Sequence, residues 1–119
     1  MEHVGHVPNR IQANIHCTKY NHVNGVGKGS SIYLNNVFDE WHTYTLDWNA
    51  NRLIFYVDDR QYLVYTNQDN SVDTWPFDNE FDIILNSAIG GSFGGTHGID
   101  DSIFPTKYVI DYVRHYAHK

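Results

Sequence analysis

Residues 41–66 read WHTYTLDWNANRLIFYVDDRQYLVYT, and this stretch decides the fold class. In 41–48, His42, Tyr44, Leu46 and Trp48 alternate with Thr43, Thr45 and Asp47. A period of two puts the two sets on opposite faces of a strand. Runs 52–57 (RLIFYV) and 61–66 (QYLVYT) are rich in β-branched and aromatic residues and are joined through Asp58-Asp59-Arg60. Aspartate tolerates the left-handed backbone of tight turns, so the pair reads as a β-hairpin. Trp48, on the apolar side of its run, is expected in the core.

The same alternation recurs outward from this block. In 10–17, Ile11, Ala13, Ile15 and Cys17 oppose Arg10, Gln12, Asn14 and His16. Segments 80–89 (EFDIILNSAI) and 107–116 (KYVIDYVRHY) are expected to be strands as well. Glycine-rich stretches at 20–31 and 90–98 read as loops, where positive φ angles and close backbone approach are permitted. No segment carries a helical period. The expected fold is all-β, an antiparallel β-sandwich.

Composition narrows the function. Eight Lys and Arg stand against fourteen Asp and Glu, a net charge of −6, which is wrong for neutralising phosphates and so argues against nucleic acid. No apolar run approaches the roughly 18 residues of a membrane-spanning helix. The N-terminus does not read as a signal peptide. Cys17 stands alone, so no internal disulfide forms. His3, His6, His16 and Cys17 offer metal-type donors, but their spacing is poor for zinc and solvated histidines are the better reading. GVGKG at 25–29 is no phosphate loop, because Gly29 follows Lys28 where a Ser or Thr is needed.

Aromatic residues make up 15% of the chain. On a sandwich with polar side chains such as Gln12, Asn14, His16 and Asn86, they suit carbohydrate, whose C–H faces pack on rings and whose hydroxyls bond polar groups. The plainer reading makes the same polar residues the solvated side of a sheet.

Five blocks occur in order: MEHVGHVPN (1–9), IQANIHCTKYNHVNGVGKG (11–29), WHTYTLDWNANRLIFYVDDRQY (41–62), WPFDNEFDIILNSAIGG (75–91) and VIDYVRHY (109–116). Together they resemble the second half of a glycoside hydrolase family 16 catalytic domain, of the laminarinase or endo-β-1,3(4)-glucanase type. The resemblance implies a jelly-roll, concanavalin A-like sandwich. It implies retaining endo-hydrolysis of β-1,3- or mixed β-1,3/1,4-glucan by an exported parent enzyme, extracellular or periplasmic, with no required cofactor.

In that family the catalytic strand carries Glu-x-Asp-x-(x)-Glu, the inserted residue forming a bulge that keeps the carboxylates on one face. Met1 matches the bulge position and Glu2 the general acid/base. The nucleophile and the central Asp would precede residue 1. Residues 1–119 are therefore expected to form a single partial catalytic domain that lacks the N-terminal half, consistent with sandwiches of roughly 200–250 residues. Neither Asp58-Asp59 nor Asp100-Asp101 can substitute for the nucleophile, since adjacent side chains on extended backbone point apart.

The resemblance further implies substrate contacts at His16, Asn86, Tyr20 and Trp75, each with a structural alternative: a solvated strand histidine, a hydrogen-bonding asparagine and two core aromatics. It makes Asp111 a structural calcium ligand. Two positions depart from the family pattern: Ser92-Phe93 follows the Gly90-Gly91 pair where a Trp is usual, and Asp58-Asp59 replaces Asp-Gly. The alternatives to a hydrolase are a non-catalytic carbohydrate-binding sandwich and an inactive fragment. Unpaired sheet edges in either would favour self-association through strands.

Overall fold

The computed structural model describes residues 1–117. It divides into two compact units, Met1–Phe81 and Asp82–Lys119. The first holds two three-stranded antiparallel sheets. One has the order β1 (Glu2–His3), β2 (Arg10–Ile15), β3 (Lys28–Tyr33); the other has the order β4 (Tyr44–Asn49), β5 (Arg52–Val57), β6 (Arg60–Thr66). The expected all-β, antiparallel class is the one observed.

Alternation explains how the sheets meet. Ile11, Ala13 and Ile15 of β2 are buried, while Asn14 between them is exposed. From the second sheet, Leu53 and Val57 are buried. Two clusters result. Ile11, Leu34 and Val57 pack with Ile32, Val37 and Tyr62; Ile15, Leu53 and Trp75 pack with Trp48, Phe55, Tyr65 and Phe77 among others. Fully burying one such aliphatic side chain stabilises the fold by about 1.5–3 kcal/mol.

The β5–β6 hairpin turns at Asp58-Asp59, with Val57 opposite Arg60. Asp58 has φ of 52°, the left-handed conformation expected of it. Its carboxylate accepts from the Thr43 N–H at 3.0 Å, and its own N–H donates to the Thr43 carbonyl at 2.7 Å. His42 completes this clamp between β4 and the turn. Its Nδ1 lies 3.0 Å from Asp58 Oδ2 and its Nε2 lies 3.3 Å from the Asn36 carbonyl. Two oxygen acceptors flank the ring, which suits the doubly protonated imidazolium. The Asp58 bond, foremost, raises the His42 pKa, with the Asn36 carbonyl adding to it against desolvation.

β3 was not anticipated; its residues fall mostly in the stretch read as a loop. KGSSIY has low intrinsic strand preference, yet it pairs with β2 along six positions. Gly29 makes the pairing possible. A Cβ there would sit 2.6 Å from the Ala13 carbonyl oxygen and 2.0 Å from Asn14 Oδ1.

The second unit departs further from expectation. Residues 80–89 and 107–116 form no strands, and among the described residues of the second unit the regular structure is one helical turn, α1 (Gly91–Gly94), and a 3-10 turn at Asp101–Ile103. Ile84 is 78% exposed, and Leu85, Val109 and Val113 are exposed too. The alternating pattern is present in these segments, but a strand also needs a ladder partner for its backbone groups, and the described residues supply none. The glycine-rich loop does use its freedom: Gly90, Gly91 and Gly98 all have positive φ.

Candidate active site

The site is built on the outward face of the first sheet. β1 is only two residues long, and its position is set by the return loop: His3 Nε2 donates to the Pro8 carbonyl at 2.7 Å. This places Glu2 opposite Gln12, and Gln12 in turn opposite Ser31. Gln12 Nε2 donates to Glu2 Oε2 at 3.2 Å. One step along, Asn14 lies opposite Gly29. The buried alternation of β2 sends Gln12 and Asn14 to the open side, where they join Gly27, Gly29 and Ser31 around a shallow hollow of about 240 Å³. A ligand site usually encloses about 300–1,000 Å³. The hollow is therefore a mainly polar half-wall of amide, hydroxyl and backbone groups, to which the Glu2 carboxylate is linked through Gln12.

Glu2 is exposed on this face. His16 follows β2 directly, is exposed, and sets its ring edge-on to His22 with centroids 5.4 Å apart. Tyr20 is half-buried, meets Tyr65 edge-on, and has Lys28 Nζ 5.0 Å from its ring centre. It borders a second hollow of about 200 Å³ together with Lys28, Tyr65, Gln68 and Thr74. Asn86 is exposed in the second unit, on a segment without strand structure, so the strand expected to carry it is not formed.

Trp75 lies in the core, the structural alternative to a sugar contact. It is 2% exposed and stacks on Tyr65 with centroids 5.6 Å apart, so neither ring face is open to a ligand in this chain. Part of the aromatic content gathers around it, while Tyr33, Phe38, Trp41 and Tyr116 stay exposed. Tyr65, Trp75, Phe77, Phe81 and Trp48 form a continuous chain of ring contacts, tied by Trp48 Nε1 donating to the Phe77 carbonyl at 2.7 Å. Each such pair contributes about 0.5–1.5 kcal/mol beyond its area. These rings, with Trp75 at their centre, form an aromatic layer of the first unit.

Asp111 is exposed in the second unit. Calcium takes six to eight oxygen ligands. Among the described residues no three His, Cys, Asp or Glu gather as a metal group. Asp111 alone does not make a calcium site, and no step below involves the ion.

An antiparallel β-sandwich with a polar sheet face edged by a carboxylate has the form of a carbohydrate-active protein. The comparisons with known proteins specify which. The pattern of glycosyl hydrolases family 16 matches residues 1–114. A β-glucanase from Rhodothermus marinus is 38% identical over 98% of this chain and 42% of its own length. Glucan endo-1,3-beta-glucosidase A1 from Niallia circulans is 30% identical, over 100% of this chain and 19% of its own. The X-ray structure of the Rhodothermus marinus laminarinase superposes with a TM-score of 0.81 at 33% identity, covering 87% of this chain and 43% of that one. This chain belongs to glycoside hydrolase family 16, a family of O-glycosyl hydrolases. It spans less than half the length of the relatives it matches.

Proposed function

We propose that this chain carries the acid/base half of a retaining endo-β-glucanase site, acting in its parent domain on β-1,3- or mixed β-1,3/1,4-glucan outside the cytoplasm. The observation that carries the reading is the placement of Glu2. It stands at the edge of an open polar sheet face, held there by Gln12. Family membership and the glucan-active relatives support the substrate class.

In this role Glu2 protonates the leaving glycosidic oxygen and then, as carboxylate, takes a proton from the water that attacks the glycosyl intermediate. That intermediate forms on a second carboxylate about 5–5.5 Å away. By the family pattern this nucleophile lies on the strand leading into Met1, before these 119 residues. Gln12, Asn14 and Ser31 offer amide and hydroxyl partners to sugar hydroxyls. His16 and Tyr20 extend the wall; by family resemblance Asn86, in the second unit, is kept as a separate candidate for a sugar contact.

The chain by itself then binds glucan weakly and does not cleave it. Tyr44 and Leu46 are exposed on the apolar side of β4, and the apolar residues of 83–89 and 109–113 are exposed in the second unit. We assign these surfaces to pairing with further strands of the parent domain. In their absence, self-association through strand edges follows.

Reducing-end release from laminarin and lichenan tests the proposal, comparing the chain alone with the chain joined at Met1 to the N-terminal portion of the Rhodothermus marinus β-glucanase. Turnover only in the joined protein supports it. The shallow, mainly polar hollow also fits a binding module; glucan retardation of the chain in a gel, with no turnover in the joined protein, would favour that reading instead.

A further inference from the structure

His3 bonds the Pro8 carbonyl and takes no part in a metal group. His16 and His22, six residues apart in sequence, come together at the end of β2 with ring centroids 5.4 Å apart and planes at 84°. Both side chains are exposed. The turn that carries His22 is fixed to the end of β2 by Asn21. Its Nδ2 donates to the Cys17 carbonyl at 3.3 Å and to the Thr18 carbonyl at 3.2 Å, and its Oδ1 accepts from the Asn24 N–H at 3.0 Å. The Gly25 N–H closes the same turn on the His22 carbonyl at 3.1 Å. The turn is thus anchored by the Asn21 side chain and the backbone, and both rings are exposed beyond it.

We propose that His16 and His22 form a two-imidazole site for a divalent transition-metal ion of the kind that favours nitrogen ligands: zinc, nickel or copper. Nitrogen–metal bonds of about 2.0–2.1 Å at a tetrahedral angle hold two ring centroids about 5 Å apart. The observed 5.4 Å is close to that spacing. At present one ring edge points at the other ring's face. Coordination requires turning the exposed rings until one nitrogen of each faces a common point, and the histidine χ2 torsion is broad enough for such turning. Neutral imidazole is the donor, and water fills the remaining positions. Hard cations such as magnesium prefer oxygen ligands and are not taken up there.

Calorimetric titration of the whole chain with nickel chloride tests this, alongside the His16→Gln and His22→Gln variants, which keep exposed polar side chains and are checked for unchanged circular dichroism. Cooperation between two rings predicts that each single variant weakens nickel binding by about tenfold or more, and that magnesium chloride gives no heat of binding. Paramagnetic broadening by nickel should centre on residues 15–17 and 21–23. Affinity unchanged in both variants, or broadening centred elsewhere, would overturn the site. A loss seen for only one variant would likewise overturn the pairing, since it would show a single imidazole acting alone.

Discussion

Glu2 and Gln12 face each other across the β1–β2 ladder, and the Gln12 amide donates to the Glu2 carboxylate at 3.2 Å. A two-residue strand has little to hold it. The ladder, this side-chain bond and the His3–Pro8 bond together set where the carboxylate stands. In the protein joined to an N-terminal portion of a relative, Glu2→Gln keeps shape and loses the proton. A fall in kcat of about 10²–10⁴ is expected, read as reducing ends from laminarin, with binding of the glucan retained.

Gly29 provides a sharper test of the sheet under the site. Gly29→Ala drives a methyl group into the Ala13 carbonyl, a backbone atom that cannot step aside without opening the β2–β3 ladder. Destabilisation of about 1–3 kcal/mol is expected, measured by urea denaturation. Gly27→Ala, with open space around its Cβ position, serves as the near-neutral control.

The His42–Asp58 clamp makes part of the stability depend on pH. Bonding to Asp58 raises the His42 pKa above its ordinary 6.5, so its contribution is complete below 6.5 and is lost as pH rises through the raised value. Desolvation opposes ionised Asp58, but the bonds from His42 and the Thr43 N–H outweigh it and lower the pKa below 3.8. That part is present above 3.8 and lost as pH falls through the lowered value. The stability difference between the native chain and Asp58→Asn should therefore be greatest from about pH 4 to 6.5 and shrink above it. Asp58 is 44% exposed, so screening limits the pair to at most about 1 kcal/mol. Denaturation curves between pH 4 and 9 measure it.

Trp75 separates core from cleft. Trp75→Ala should cost about 3–5 kcal/mol, because it empties the ring layer between Tyr65 and Phe77. Trp75→Phe should recover part of the stability. If Trp75→Ala left the unfolding midpoint unchanged while abolishing glucan retention, the ring would have to be a sugar contact after all.

Much of the first unit was legible because its signals are local. Alternation in β2 and β4, two β-branched runs and an aspartate turn each depend on neighbours in sequence. β3 was hidden since KGSSIY carries no such signal; its strand is dictated by β2, through a close approach that only Gly29 permits. Segments 80–89 and 107–116 show the converse. Their pattern is right for strands, but no partner among the described residues completes a ladder. At the site, Gln12 was recognisable as a polar strand residue, but its meeting with Glu2 depends on a register fixed by the return loop at 4–9. His22 sits in a stretch read simply as loop, and its approach to His16 depends on the Asn21 anchors.

Laminarin hydrolysis under matched conditions tests whether Glu2 is the acid/base of a site whose nucleophile lies outside these 119 residues. The expected results are no turnover by the chain alone, restoration on joining it to a family 16 N-terminal portion, and loss again with Glu2→Gln in the joined protein. Turnover by the isolated 119-residue chain at the rate of the joined protein would contradict this assignment.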